Sequence, residues 1–319
     1  MKTSKMFFAG AMLLFASLFL FAACNNDDDD DDNNGNVRFE ITDAPVDDPN
    51  VEGVFVTIVG LEVDGTPITD FEGPLTFNLM DYRNGEVKAL GFADLNAGTY
   101  SDVTLIMDFE NDQNGNGPGV YVQTNDGVKH ALNTNNTLDS VINVSGSFTV
   151  DQNNSQEAVV IDFDLRKAIT YSTSGDTSDY NLVSDDDLDE VARLITKEDA
   201  GTIEGDLDGD LAQGGDVIVV YAYEKGAYNV SERLGNVPFK NAVTSAVVDG
   251  NEEFTLNFLE EGTYELRFVG YEDTNNDGRL DMLGTLLFDV LGDIDPDNIT
   301  VKASERVNVN LEVTGITPF

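Results

Sequence analysis

The sequence has almost none of the residues that support redox, zinc or nucleophilic chemistry. It contains one cysteine, one histidine and no tryptophan. A lone cysteine excludes disulfides within the chain, and a lone histidine cannot build a His-rich zinc site. That histidine, His130, lies in the apolar-polar segment VKHAL and is predicted to be a polar strand residue. The fold must therefore be stabilised by its apolar core.

Basic residues are also scarce. The chain has 17 Lys and Arg against 60 Asp and Glu, with a net charge of −43. This balance argues against nucleic-acid binding and against direct docking on anionic lipid, because both require basic patches. It favours solubility outside the cell and binding of divalent cations.

The N-terminal residues have the order of a secretory signal. Lys2 and Lys5 precede an apolar run over residues 6–21, and two alanines then lead to Cys24. Small residues before a cysteine resemble the lipobox of bacterial lipoproteins, although Phe21 stands where leucine is usual. The resemblance implies cleavage after residue 23 and a covalent lipid on Cys24 that anchors the protein in the outer membrane. A transmembrane anchor and an ordinary cleaved signal peptide are the alternatives.

Residues 24–36 are predicted to be a disordered acidic tether. Six consecutive aspartates occupy residues 27–32, and such a run repels itself and cannot bury apolar surface. An acidic run just after a lipidated cysteine resembles the surface-export signal of one group of Gram-negative bacteria. It implies display on the extracellular side of the outer membrane, with a periplasm-facing lipoprotein as the alternative.

From residue 37 onward the residue pattern is typical of an all-β protein, with short runs of Val, Ile, Thr, Phe and Tyr between Gly, Asn and Asp. The pattern predicts two tandem antiparallel β-sandwich domains of the immunoglobulin or prealbumin type, over residues 37–199 and 200–319. The predicted strands cover residues 37–42, 51–63, 75–80, 101–109, 120–124, 145–150, 157–165, 201–207, 216–224, 242–248, 253–259, 262–272, 284–290 and 305–313. Residues 184–198 are ambiguous: a short linking helix or, over 191–195, the last strand of the first domain.

Three stretches of the first domain carry a family resemblance. They are ITDAPVDDPNVEGVFVTIVGLEV, LNAGTYSDVTLIMD and VVIDFDLRKAI. In this order they resemble the bacterial and archaeal domain-of-unknown-function family 4382 over residues 37–197. The resemblance implies a secreted β-sandwich and no particular reaction. The stretches GTIEGDL and FTLNFLEEGTYELRFVGYED are similar to prealbumin-like, carboxypeptidase-regulatory modules, which implies a spacer or binding role for the second domain.

The segment DTNNDGRLD is the best candidate for a metal site. Asp273, Asn275 and Asp277 occupy alternate positions of a calcium-loop pattern, with the carbonyl of Arg279 and the side chain of Asp281 as further ligands. Gly284 stands where a bidentate glutamate is expected, so calcium affinity should be modest. An Asx-rich hairpin loop without metal is the alternative. A weaker candidate contains Asp112, Asn114 and Asn116.

Catalytic patterns are weak. Nucleophile elbows, H-E-x-x-H and phosphate-binding loops do not occur in the sequence, and acidic pairs such as Asp162 and Asp164 are too common here to be specific. That pair is predicted to be solvated surface or a structural ligand. The sequence favours a non-catalytic surface module that binds a glycan or matrix ligand, with calcium as the predicted stabilising ion. A spacer subunit of an outer-membrane complex is the alternative, followed by an unrecognised carboxylate hydrolase.

Overall fold

The computed structural model describes residues 34–44, 48, 50–68, 70–132, 141–151, 155–174, 177–235, 237–275 and 279–319. The predicted signal peptide, Cys24 and the acidic run at residues 27–32 lie outside these ranges. Residues from 33 onward form one compact unit. Among the described helices, none is both long and apolar enough to cross a membrane.

The described elements are nearly all strands. They are β1 (Asn34–Ala44), β2 (Val51–Val63), β3 (Thr66–Pro67), β4 (Leu75–Asn78), β5 (Lys88–Asn96), β6 (Gly98–Tyr100), β7 (Val103–Met107), β8 (Tyr121–Thr124), β9 (Lys129–Ala131), β10 (Val141–Val144), β11 (Phe148–Val150), β12 (Ser155–Asp164), β13 (Ile169–Ser174), β14 (Thr177–Leu182), β15 (Ala192–Thr196), β16 (Gly201–Gly209), β17 (Val217–Glu224), β18 (Thr244–Val247), β19 (Glu253–Leu259), β20 (Gly262–Glu272), β21 (Asp281–Val290), β22 (Ile299–Val301) and β23 (Arg306–Pro318). Two single-turn helices are α1 (Leu165–Ala168) and α2 (Asp185–Leu188), and 3₁₀ turns cover Leu79–Asp81, Leu211–Gly214 and Val230–Leu234.

The strands from β1 to β15 form the first body. One sheet has the order β15-β12-β1-β5, and a seven-stranded sheet has the path β10-β7-β2-β8-β9 with β3 and β4 paired to β2. Two small ribbons, β6 with β11 and β13 with β14, complete it. Alternate residues of β1 and β12, including Phe39 and Ile161, point into the core between the sheets and are fully buried. The predicted β-sandwich class is therefore confirmed for this body.

The strands from β16 to β23 form the second body. They make one eight-stranded sheet in the order β18-β17-β20-β21-β23-β16-β19, with β22 paired to β20. The two edge strands, β18 and β19, lie beside each other, so the sheet wraps around its own apolar core. Leu256, Phe268 and Leu311 are among the buried residues of this core.

Strand direction differs from the antiparallel prediction at one place in each body. β1 pairs with β12 in parallel, and β16 pairs with β23 in parallel. All the other pairings between strands are antiparallel among the described residues. Residue alternation shows which side chains share a face but does not show the direction of a neighbouring strand.

Both predictions for residues 184–198 are partly correct. Ser184 precedes the one-turn helix α2, and the chain then enters β15, which pairs with β12. The helix is short because three aspartates fill it, and aspartate has a weak helix propensity. The strand forms because Leu194 and Ala192 bury their side chains in the first core.

The outer face of the β15-β12-β1-β5 sheet is buried as well as its inner face. Val160, Asp162 and Asp164 alternate along β12 on this outer face, and each is less than 5% exposed. Val160 packs with Ile195 and with Phe258 of the second body. The second body therefore covers part of a sheet face whose polar residues alone predict contact with water.

Candidate functional site

A cleft of about 350 Å³ lies between the two bodies. This volume is at the lower end of the ~300–1,000 Å³ typical of ligand pockets, which are often found at domain interfaces. Its first-body walls are Asp48, Leu165, Arg166, Ile169, Thr170, Tyr171 and Tyr180, and its second-body walls are Val237, Pro238, Tyr271, Arg279, Leu280, Asp281 and Met282. Aliphatic side chains form much of the wall, and a few polar groups converge among them.

Asp48, Tyr171, Tyr180 and Arg279 form a cleft cluster that joins the bodies. Asp48 Oδ2 accepts hydrogen bonds from Arg279 Nη1 at 2.7 Å and from Tyr180 Oη at 3.0 Å. Asp48 Oδ1 accepts one from the backbone N of Asn50 at 2.9 Å. The guanidinium of Arg279 lies 3.2 Å from the ring centroid of Tyr171. The arginine is therefore held by charge on one side and by an aromatic ring on the other.

The two tyrosines of the cluster are positioned by strand register. Tyr171 on β13 lies directly opposite Tyr180 on β14, and their ring centroids are 5.2 Å apart in an edge-on arrangement. Cross-strand aromatic pairs of this kind stabilise two-stranded ribbons. The hairpin therefore presents both rings to the cleft as one unit.

Tyr180 remains a hydrogen-bond donor over the whole physiological pH range. Burial raises the pKa of its hydroxyl well above the ordinary value, and the neighbouring charge of Asp48 raises it further. The Asp48 side chain is 9% exposed and that of Arg279 is 29% exposed. The cluster is therefore ordered by its own contacts and still reaches the cleft surface.

The predicted calcium loop contributes to this cleft in an unexpected way. The structure describes Asp273, Asn275, Arg279 and Asp281, whereas Asp277 lies outside the described residues. Arg279 directs its side chain to Asp48. Asp281 Oδ2 accepts a hydrogen bond from Thr274 Oγ1, and the backbone N of Asp273 donates to Asp216. Calcium binding by this loop stays a prediction.

The weaker candidate loop is closed by its own aspartate. Asp112 Oδ1 accepts hydrogen bonds from the backbone N of Asn114 at 2.8 Å and of Asn116 at 2.9 Å. The bond from Asn116 is the largest cause of a lowered pKa for the Asp112 carboxyl. This is the geometry of an Asx-type turn. In the described part of the chain, no three His, Cys, Asp or Glu side chains lie close enough together to hold a metal ion.

Asp162 and Asp164 lie on one face of β12, as predicted, but they are not solvated surface. Asp162 Oδ2 accepts from Arg193 Nη2 at 2.7 Å, and the same nitrogen donates to the carbonyl of Phe258 in the second body at 3.0 Å. Burial raises the pKa of Asp162 against the opposing effect of Arg193. The prediction of surface exposure is wrong because the second body packs over this face.

The sequence pattern did not identify Arg166, and it did not identify Asp48, Tyr171 and Tyr180 of the cleft cluster either. The guanidinium of Arg166 binds Asp164 Oδ2 at 2.6 Å and the carbonyl of Phe239 at 2.7 Å, with weaker contacts to the carbonyls of Pro238 and Ala242. The side chain is 4% exposed. A basic residue directly after a buried strand, in FDLRKA, is a signal compatible with this role, but it is too common to identify the role without the structure.

A second cleft of about 310 Å³ lies beside these ion pairs. Both Asp162 and Asp164 line it, together with Lys167, whose pKa is lowered by burial. The two carboxylates are already bound by Arg193 and Arg166. Through these arginines, which also donate to carbonyls of the second body, the arrangement joins the two bodies.

His130 lies in strand β9, as predicted. Its ring packs edge-on against Tyr180, with centroids 5.2 Å apart, and its Nε2 is 3.4 Å from Thr124 Oγ1. The histidine therefore packs against a tyrosine of the cleft cluster.

The geometry defines an all-β protein with two packed sheet bodies and a cleft between them. The model of the family described as a domain of unknown function, DUF4382, matches residues 34–184. This match confirms, over residues 34–184, the family resemblance found in the sequence. No curated protein sequence matches the chain closely enough to count as a relative.

Several solved structures show distant likeness. The Bacillus anthracis TIE protein is 11% identical, with 88% of this chain and 34% of that chain covered and a TM-score of 0.20. The minor pilin of Streptococcus agalactiae is 13% identical over 88% and 97% of the two chains, with a TM-score of 0.21. The major pilin subunit of Bacillus cereus is 10% identical over 88% and 70%, with a TM-score of 0.22. This chain spans about a third of the TIE protein. At these scores the likenesses support no inference about function.

Proposed function

We propose that this protein is a non-catalytic binding module on the outer surface of the bacterial cell, tethered by a lipid on Cys24. The observation that carries the proposal is the cleft between the bodies, with its aliphatic walls and its converging Asp48, Tyr180 and Arg279. A cavity that is mainly apolar, with a few fixed polar groups, is the usual form of a ligand site. The proposed ligand class is a glycan or a matrix component.

The proposed location is supported by the sequence around the anchor. Several acyl chains on one cysteine hold a protein durably at a membrane, since each buried CH₂ contributes ~0.8 kcal/mol. The aspartates at residues 27–32 favour display outside the cell. Replacement of Cys24 by Ser should release the protein into the soluble fraction, and continued retention in membranes would refute the lipid anchor.

A non-catalytic role is supported by the state of the carboxylates in the cleft. Asp48 is held by Arg279 and Tyr180, and Asp281 accepts a hydrogen bond from Thr274. A hydrolase of the carboxylate type requires one carboxylate as acid and another as base or nucleophile. Both candidates are instead engaged in fixed contacts within the protein.

A spacer subunit of an outer-membrane complex is the second candidate. It is favoured by the hydrogen bonds from Arg166 and Arg193 to carbonyls of the second body, because a spacer must hold its parts in a fixed arrangement. On this alternative the cleft has no ligand, and the partner is another membrane protein.

The experiment that tests the proposal is a binding array. The soluble chain from residue 25 is applied to immobilised glycans and matrix proteins, with calcium and with chelator. Binding to members of one chemical class is expected. Failure to bind any probe in either condition would refute the binding module and leave the spacer, which cross-linking in intact cells would then detect through its membrane partner.

A further inference from the structure

We infer that the cleft takes an uncharged sugar, whose adjacent hydroxyl groups are bound by Asp48 and Arg279. The inference rests on the proposed function and identifies its ligand class. It depends on the charge balance of the cleft, on the fixed geometry of the cluster and on the way the cluster spans both bodies.

The two arginines that line the cleft have their charges matched within the protein, whereas the carboxylate of Asp281 accepts a hydrogen bond from the neutral hydroxyl of Thr274. Arg279 is paired with Asp48 at 2.7 Å. Arg166 also lines the cleft, but its charge is bound by Asp164 and by backbone carbonyls. An anionic ligand would therefore have to displace the existing partner of an arginine. The net charge of −43 further opposes acidic glycans at long range.

The polar groups are held in position before a ligand arrives. Stacking on Tyr171 fixes the plane of the Arg279 guanidinium, while Tyr180 and Asn50 fix the carboxylate of Asp48. A planar carboxylate beside a planar guanidinium presents acceptors and donors a few ångströms apart. Two neighbouring hydroxyls of a pyranose can pair with both. Pre-organisation of this kind removes the entropy cost of ordering long side chains on binding.

The rest of the wall suits the less polar face of a sugar ring. Ile169, Leu280 and Met282 are aliphatic, and Tyr271 adds an aromatic ring whose hydroxyl is already bonded to that of Tyr221 at 2.6 Å. Sugar rings have one face of C–H groups that packs on such surfaces. The cleft therefore has the two parts that sugar binding requires: a polar pair and an apolar wall.

The test uses the soluble chain from residue 25 and three groups of probes: neutral oligosaccharides, oligosaccharides with sulfate or uronic acid groups, and matrix proteins. Neutral oligosaccharides are expected to bind. Arg279→Lys and Asp48→Asn should each weaken binding roughly 10- to 100-fold, the loss that follows removal of a charge-assisted hydrogen bond. Arg306→Lys is the matched control, because Arg306 pairs with Glu204 at the exposed surface of the second body.

The outcomes separate the inference from the function it rests on. Preferential binding of acidic oligosaccharides or of matrix proteins would overturn the inference and keep the binding module. Neutral-sugar binding that is unchanged in both variants would also overturn it, because the site would then lie elsewhere. If no probe binds, both are overturned. Far-ultraviolet circular dichroism verifies folding of each variant, and Tyr180→Phe serves as a third variant that keeps the ring.

Discussion

Two of the arginines that link the bodies, Arg166 and Arg279, differ in their exposure to solvent. Arg166 is 4% exposed and donates to Asp164 and to the carbonyl of Phe239 in the second body. Arg279 is 29% exposed and donates to Asp48 of the first body. The same pairing of guanidinium with carboxylate thus occurs once with a buried arginine and once with a partly exposed arginine, and both arginines line the cleft.

The difference in exposure assigns a structural role to Arg166 and a ligand-binding role to Arg279. A buried pair cannot be broken without leaving an uncompensated charge in a low-dielectric interior, so Arg166 fixes how the bodies pack. A pair at a cleft surface is screened by water and contributes little to stability, so Arg279 can share its donors with a ligand. The following predictions test this division, from the largest expected effect to the smallest.

Arg166→Ala should lower the free energy of unfolding by about 3–5 kcal/mol. The reason is that Asp164 and the carbonyl of Phe239 would lose the buried guanidinium that donates to both of them. Urea unfolding of the soluble chain from residue 25 measures the change. Arg306→Ala is the control and should lose no more than about 1 kcal/mol, as exposed pairs do. Equal losses for the two variants would contradict the structural role of Arg166.

Calcium should stabilise the cleft side of the second body if the loop at residues 273–281 binds it. At calcium ten times the dissociation constant, the expected gain is ~1.4 kcal/mol. Thermal unfolding with calcium and with chelator measures it. Asp277→Ala should abolish the gain in stability, and Asp112→Ala should keep it. A thermal unfolding midpoint that is the same with calcium and with chelator would refute the prediction.

Arg279→Ala should lower the free energy of unfolding by no more than about 1 kcal/mol, because its pair with Asp48 is partly exposed. The same urea experiment compares it with Arg166→Ala. A loss as large as that of Arg166→Ala would show that Arg279 has the same structural role as Arg166, and would contradict a role for Arg279 in ligand binding alone.

Asp43→Asn should stabilise the protein at neutral pH. Burial raises the pKa of Asp43 well above 3.8, against a hydrogen bond from the backbone of Leu165, and the charges of Asp164 and Asp162 add to the rise. In the folded state Asp43 keeps its proton to a higher pH than it does in the unfolded state. The wild-type protein therefore loses stability as the pH rises from 3.8 through the raised pKa of Asp43. Urea unfolding across this range should show a flatter pH dependence for the variant, and an unchanged slope would refute the assignment.

The sequence predicted the features that depend on local pattern. Alternating side chains predicted the β class, and three stretches from ITDAP to VVIDFDL carried the family resemblance that the family model confirms over residues 34–184. Glycine and asparagine turns placed most strand boundaries within a few residues, as for β2, predicted and observed over residues 51–63. These features are predictable because each depends on residues that are near in sequence.

The features that depend on distant contacts were not predictable. Asp162 has the pattern of a solvated strand residue, and only packing of Phe258 and its neighbours over β12 explains its burial. Asp48 and Arg279 meet although they are 231 residues apart. The sequence analysis singled out the loop that carries Arg279 for its metal-binding pattern, which stays a prediction. The arginine side chain, rather than the carbonyl, makes the contact that defines the cleft.

The most direct test of the account is hydrogen–deuterium exchange of the soluble chain from residue 25, with and without the neutral oligosaccharides that bind. Ligand bridging the cleft should slow exchange in both bodies at once, in the β13–β14 hairpin and around the start of β21. Protection confined to one body, or at a surface away from these segments, would contradict a ligand site between the bodies.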